Sequence, residues 1–176
     1  KYIVTPVKSG LMFIDQKRAH ERILFEKYLQ EHDCTKGNSQ KSLYPVKVEM
    51  QTADYVILTE IMEDLHHLGF SISELGNNTI AINGCPADTN ADPATLVENL
   101  LNQYKETQGD IKLSAKESLV KSLAKAMAIN YGKSLNMEEM RILMDKLFAC
   151  KSPNYSPDGK LVIFIMSLDE MEKKFK

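Results

Sequence analysis

Leu161-Val162-Ile163-Phe164-Ile165-Met166 is a run of six apolar residues between the Pro- and Asn-containing loop 151–158 and Ser167. Its length and β-rich composition read as a strand buried on both faces, and such a strand needs sheet neighbours. The opposite end of the chain has the same need. Tyr2 to Val7 and Gly10 to Ile14 are β-rich and flank Lys8-Ser9-Gly10, a turn signal, so they read as a hairpin. A lone hairpin is marginal in water. The economical arrangement joins both chain ends in one sheet and leaves the middle as an insertion with its own small core.

Between these ends the signals alternate. Asp15 is placed to cap a helix, and Ala19 to Leu29 continues it without Gly or Pro. The polar stretch 31–42, with Gly37-Asn38-Ser39, marks a crossing between subdomains. Leu43 to Met50 reads as a strand, and Thr52 to Leu68 as one amphipathic helix carrying Tyr55, Leu58, Ile61, Met62, Leu65 and Leu68, ended by Gly69. Ser71 to Leu75 and Thr79 to Cys85 flank Gly76-Asn77-Asn78, a hairpin signature. Asp92-Pro93 opens a helix running to about Glu106. After a second polar break, Ser114 with Glu117 forms a capping box; Asn136 opens a helix holding Met140, Leu143, Met144, Leu147 and Phe148, and Ser167 with Glu170 repeats the box. The expected fold is α+β, with a discontinuous sheet-and-helix subdomain from 1–38 and 114–176 and an inserted α/β subdomain at 43–113.

Composition narrows the function classes. The 176 residues are 43% apolar, enough for a packed core, and 22 basic against 24 acidic residues give a net charge of −2. No global charge attracts nucleic acid, so DNA contact is expected to be weak or indirect, with Lys121, Lys125 and Lys133 as a local patch. No apolar run is long enough to cross a bilayer and no secretory pattern opens the chain, so no membrane role is expected and the cytoplasm is the default. The abrupt strand-like start at Lys1 to Val4 suggests a piece of a longer protein. Cys34, Cys85 and Cys150 lack CxxC spacing and read as reduced thiols. Phosphate-binding loops and nucleophilic triads find no support: Gly76 and Gly84 are isolated turn residues.

The segment from Phe13 through Asp15-Gln16-Lys17-Arg18-Ala19-His20-Glu21-Arg22-Ile23-Leu24 to Glu26 resembles the signature of the MutL family, which carries Asp-Gln-His-Ala, then Glu, then Glu. Asp15, Gln16, Glu21 and Glu26 match at the family spacing. Similarity continues through Leu68-Gly69-Phe70 and the terminal stretch from Ser167 to Phe175, covering most of the chain in order. The resemblance implies a homodimerising C-terminal domain with an external, regulatory insertion. It also implies a MutS-type mismatch-recognition partner, and an ATPase that uses ATP and Mg in a separate N-terminal region. In such a domain the sheet's exposed apolar face, including Ile163 and Ile165, is buried against a second copy, and obligate interfaces commonly exceed about 2,000 Å².

Metal-dependent members of the family nick DNA with Zn or Mn, which need several deprotonated side chains converging on one point. Here Lys17 stands at the motif's His position, Leu123-Ala124-Lys125 lacks the family's Cys, and Cys150-Lys151-Ser152-Pro153 lacks its His. Asp15, Glu21, Glu26 and Cys150 remain as residual motif positions, with His20 nearby. Glu21 and Glu26, five residues apart on a helix, point about 140° apart. Beside the metal reading stand a helix cap for Asp15, an ion pair with Lys17 for Glu21 and a packed thiol for Cys150. His66-His67, with Glu63 and Asp64, reads as a polar helix face, because adjacent helical residues diverge by about 100°. No cofactor is expected for the fragment itself. A nicking endonuclease with a non-standard ligand set is the alternative. Gln40-Lys41-Ser42-Leu43-Tyr44-Pro45 resembles the family's sliding-clamp-binding hexapeptide through Gln40, Tyr44 and Pro45, with Leu43 serving only after a register change. A plain linker into a strand is the other reading of that segment.

Overall fold

The computed structural model describes residues 1–33, 39–87, 89, 92–107 and 114–176, without the side chains of 33, 41 and 43. Cys34 lies outside the described residues. Contacts divide the chain into two compact units, 1–26 with 128–176, and 27–127. The architecture is α+β.

In the first unit, β1 (Tyr2–Val7) and β2 (Gly10–Asp15) form the hairpin, and β6 (Ile163–Ser167) joins it in a three-stranded antiparallel sheet ordered β1-β2-β6. The two chain ends therefore do share a sheet. Gly10 makes the junction possible: its φ is +152°, and a Cβ there would stand 2.0 Å from the Met166 carbonyl oxygen. Strand parity fixes the faces. Ile3, Ile14 and Ile163 lie in register and point inward, onto a core of Ala19, Leu143, Leu147 and Val162. Two helices contribute to that core: the first half of α1 (Gln16–Asp33) and α6 (Met137–Phe148), the latter opened by an Asn136–Glu139 capping box. The same box at Ser167–Glu170 starts α7 (Leu168–Glu172).

The expectation for Leu161 to Met166 needs correction. Leu161 makes an isolated bridge to Tyr155, the strand begins at Ile163, and β6 is an edge strand among the described residues, with Phe164 and Ile165 each 46% exposed. Its apolar run serves one inner face and one open face instead of two buried ones.

In the second unit, β3 (Ser39–Glu49), β4 (Ser71–Gly76) and β5 (Thr79–Pro86) form an antiparallel sheet ordered β3-β5-β4. The β4–β5 turn uses positive φ at Gly76, Asn77 and Asn78, the conformation that type I′ hairpins require. The helix expected over 52–68 is broken at Ile61 into α2 (Thr52–Glu60) and α3 (Met62–His67). Both Ile61 and Leu65 remain buried. Helices α4 (Pro93–Thr107) and α5 (Ala115–Met127) pack together, burying Leu96, Leu100, Leu119 and Leu123. This pairing places α5 in the 27–127 unit, whereas the expected boundary at 114 assigns it to the chain ends. The other boundary falls within α1, after Glu26 instead of at 38. Lys121, expected in a surface patch, is largely buried on α5.

Candidate functional site

The residual motif sits where β2 runs into α1, and its polar atoms are already engaged. Asp15 is almost fully buried; its Oδ1 accepts from the Arg18 backbone N–H at 3.1 Å, which is helix capping, and its Oδ2 accepts from the Tyr131 hydroxyl at 3.1 Å. Arg18 Nε stands 3.7 Å from Oδ2. Lys17 lies over the Tyr131 ring at 5.5 Å, a cation where a metal site would need a lone pair. Burial, and then the charges of Lys146 and Lys133, push His20 down to about pKa 4, and its Nδ1 accepts from the Ile129 N–H at 3.1 Å. Glu21 is buried and also has a partner.

One turn further, Arg22 and Glu26 clamp the loop that follows α6. Glu26 accepts from the Lys151 and Ser152 backbone N–H groups at 2.7 and 3.1 Å, while Arg22 donates to the Tyr155 and Ser156 carbonyls at 2.6 and 2.9 Å. The two side chains are 3.6 Å apart. Burial, with Glu26 adding, pushes the Cys150 thiol up to about pKa 11, so it is protonated at neutral pH and donates to the Lys146 carbonyl. A zinc or manganese site needs thiolate and free carboxylate lone pairs. The oxygens of Asp15 and Glu26 are occupied by N–H and O–H donors, and Cys150 holds its proton. Among the described residues no three His, Cys, Asp or Glu side chains are grouped to hold an ion. These residues do not fit the metal, and no bond-breaking step follows from them. Arg18, Arg22 and Tyr131 were not foreseen from sequence. Arg22 to Glu26 is a visible i,i+4 spacing, but the loop that the pair holds lies about 125 residues away.

Apolar surface marks the other candidate in this unit. On the side of the sheet away from the core, the register aligns Val4, Phe13 and Phe164 in one row across three strands, and Pro6, Leu11 and Met166 in the next. Phe13 and Phe164 meet with ring centroids 6.1 Å apart. Val4 and Tyr2 are about half exposed. Parity gives the expected Ile163 and Ile165 the opposite side: Ile163 packs on the core, and Ile165, opposite Met12, shares that orientation while staying half exposed. Beside the aligned rows opens a cavity of about 270 Å³ lined by Tyr2, Phe13, Leu161 and Phe164 together with Asp15 and Arg18.

In the second unit, the Gln40–Pro45 segment lies on β3. Gln40 and Lys41 pair with Cys85 and Gly84, the register then shifts, and regular pairing resumes at Val46. Ser42 Oγ donates to the Tyr44 carbonyl at 2.6 Å within the irregular stretch. Tyr44 is 82% exposed, and Gln40 and Pro45 are exposed too, while the Leu43 side chain is outside the described residues. Cys85 is a buried free thiol whose pKa burial raises. On α3, His66 Nε2 contacts the Ile72 carbonyl at 3.2 Å, and His67 lies against the His32 ring, which bonds Asp64. No helix among the described residues is long and apolar enough to cross a membrane.

Comparison with known proteins covers this whole ground. Residues 1–135 match the family model described as the MutL C terminal dimerisation domain. The chain is 45% identical to the DNA mismatch repair protein MutL of Phocaeicola vulgatus over 177 aligned residues, which is 100% of the chain and 28% of that protein. The corresponding protein of Parabacteroides distasonis is also 45% identical, over 100% of the chain and 29% of its own length. That of Chlorobium chlorochromatii is 40% identical over 99% of the chain and 27% of its length. The chain thus spans less than a third of the relatives it matches.

Proposed function

Since the chain belongs to the MutL C-terminal dimerisation domain family, we propose that the open face of the β1-β2-β6 sheet is the surface through which two copies join. Two rows of apolar side chains, Val4-Phe13-Phe164 and Pro6-Leu11-Met166, carry this reading. A solvated antiparallel sheet alternates polar residues on its open side; this one does not. A permanent joint of this kind tethers two N-terminal ATPase regions and raises their effective concentration, so that nucleotide can bring them together. The domain then contributes connection and recruitment in mismatch repair, in the cytoplasm, with a MutS-type protein acting upstream. Sedimentation equilibrium tests it: the chain should run as a dimer at micromolar concentration, and Phe164→Asp should run as a monomer with an unchanged circular dichroism spectrum. A monomeric native chain would defeat the proposal. Nicking of supercoiled DNA with manganese, abolished by Glu21→Ala, would instead establish the endonuclease alternative.

A second role has an observation of its own. The shift of register between Lys41 and Val46 presents Tyr44 and Pro45 to solvent at the edge of a sheet, with Gln40 exposed at the segment's start. An extended segment with an exposed aromatic plug and a φ-restricting proline suits docking in an apolar groove. The resemblance names a sliding clamp as the owner of that groove. Calorimetric titration of the chain with the host's sliding clamp checks it, with binding expected for the native sequence and lost in Tyr44→Ala; equal affinity of the two would leave the segment an ordinary strand edge.

A further inference from the structure

The cavity beside the apolar rows is small and chemically mixed. Its volume of about 270 Å³ is less than the roughly 300 to 1,000 Å³ of ordinary ligand pockets, and suits a single side chain. Tyr2, Phe13, Leu161 and Phe164 give it apolar lining, and its two charged lining residues, Asp15 and Arg18, differ in what they can still bind. The Asp15 carboxylate already accepts from Arg18 N–H and Tyr131 O–H. Arg18 has capacity left: its Nη1 donates to the Leu161 carbonyl at 2.8 Å, but a guanidinium carries five N–H donors. A purely apolar plug would strip water from those donors without replacing it. An aromatic ring that carries an oxygen suits a lining that is apolar and also offers a donor.

The same face carries such a group. Tyr2 has the outward parity of Val4 and is 53% exposed. In a twofold dimer each surface meets its own likeness, so a knob and a socket on one face are used reciprocally. Resting on the dimer surface argued above, we propose that each copy's cavity is the socket for the Tyr2 side chain of the second copy, with Arg18 donating to the incoming phenol oxygen. The start of the motif segment thereby contributes to recognition of the second copy.

Two variants separate a contact between copies from one within a chain. Tyr2→Ala removes the knob and one wall of its own cavity but keeps Phe13, Leu161, Phe164 and the Arg18 donor; Arg18→Ala keeps the knob and removes the donor. In neither homodimer does a Tyr2 ring meet an Arg18 donor, whereas in a mixed dimer one does. Each homodimer should dissociate about tenfold more readily than the native one, equivalent to about 1.4 kcal/mol. Native mass spectrometry of an equimolar mixture should therefore show the mixed dimer well above half of all dimers. Statistical 1:2:1 mixing would overturn the socket while leaving the dimer surface intact. A native chain that never dimerises fails the reading beneath it instead, and Tyr2→Phe, which keeps the ring and loses the oxygen, should fall between the native chain and Tyr2→Ala.

Discussion

Among the described residues, two three-stranded antiparallel sheets treat their second face differently. In the β3-β5-β4 sheet, the row Val46-Ile82-Ile72 points to one side and the row Lys47-Ala81-Ser73 to the other, with Asn83 bonding Ser73 on the polar side. One face is apolar and the other suits water. In the β1-β2-β6 sheet the inner row is Ile3-Ile14-Ile163 and the adjacent outer row is Val4-Phe13-Phe164, so both faces are apolar. Similar strand counts and pairing thus conceal different requirements. The first pattern needs one covering layer, and the second needs two, of which its own unit supplies one.

The hairpin glycines give the largest test of that difference. Gly10→Ala forces a Cβ against the Met166 backbone at positive φ and should cost about 3 kcal/mol or more, visible as a lower urea midpoint. Gly76 also has positive φ, +82°, but open space around it, so Gly76→Ala should cost only about 1 kcal/mol. Equal losses would mean that β2–β6 contact is no tighter than an ordinary turn. Next come charges on the two outer faces. Val4→Glu should weaken dimerisation about a hundredfold, read from the sedimentation dissociation constant. Lys47→Glu, on the polar face of the other sheet, should leave that constant within about twofold. A dimer indifferent to Val4→Glu but broken by Lys47→Glu would reverse the comparison.

Which of these features were legible follows from how far apart the cooperating residues lie. The union of the chain ends was readable because both carry strands that lack local partners. Caps at Asn136, Ser114 and Ser167 were readable because donor and acceptor sit three residues apart. Side-chain parity on β6 was not: in an unbroken apolar run every position looks alike, and only pairing with Phe13 turns Phe164 outward and Ile163 inward. The assignment of α5 failed for a related reason, since an amphipathic pattern shows that one face is buried without naming what covers it. At the motif, the departures of Lys17 and Cys150-Lys151-Ser152 from a ligand set were plain, but the Arg22–Glu26 clamp that holds this loop required the folded chain.

A further effect concerns acid, and it separates the two units again. His20, in the unit of the chain ends, is held neutral, with its pKa lowered from 6.5 to about 4 by burial and by Lys146 and Lys133. The unfolded chain binds a proton at this position as pH falls through 6.5, whereas the folded chain resists until about 4. The stability that His20 contributes is therefore full above about pH 6.5 and is lost progressively down to about pH 4, amounting to roughly 2 kcal/mol between pH 7 and pH 5. In the other unit the shifted carboxylates, Asp92 and Glu117, have pKa values lowered from 3.8 and 4.5, so their contributions stay whole at pH 5 and are lost only as pH falls below those values. His20→Asn keeps an acceptor for the Ile129 N–H and has nothing to protonate. Urea denaturation at pH 7 and pH 5 should show most of the loss vanishing in that variant; an unchanged slope would place the acid sensitivity outside the α1 motif.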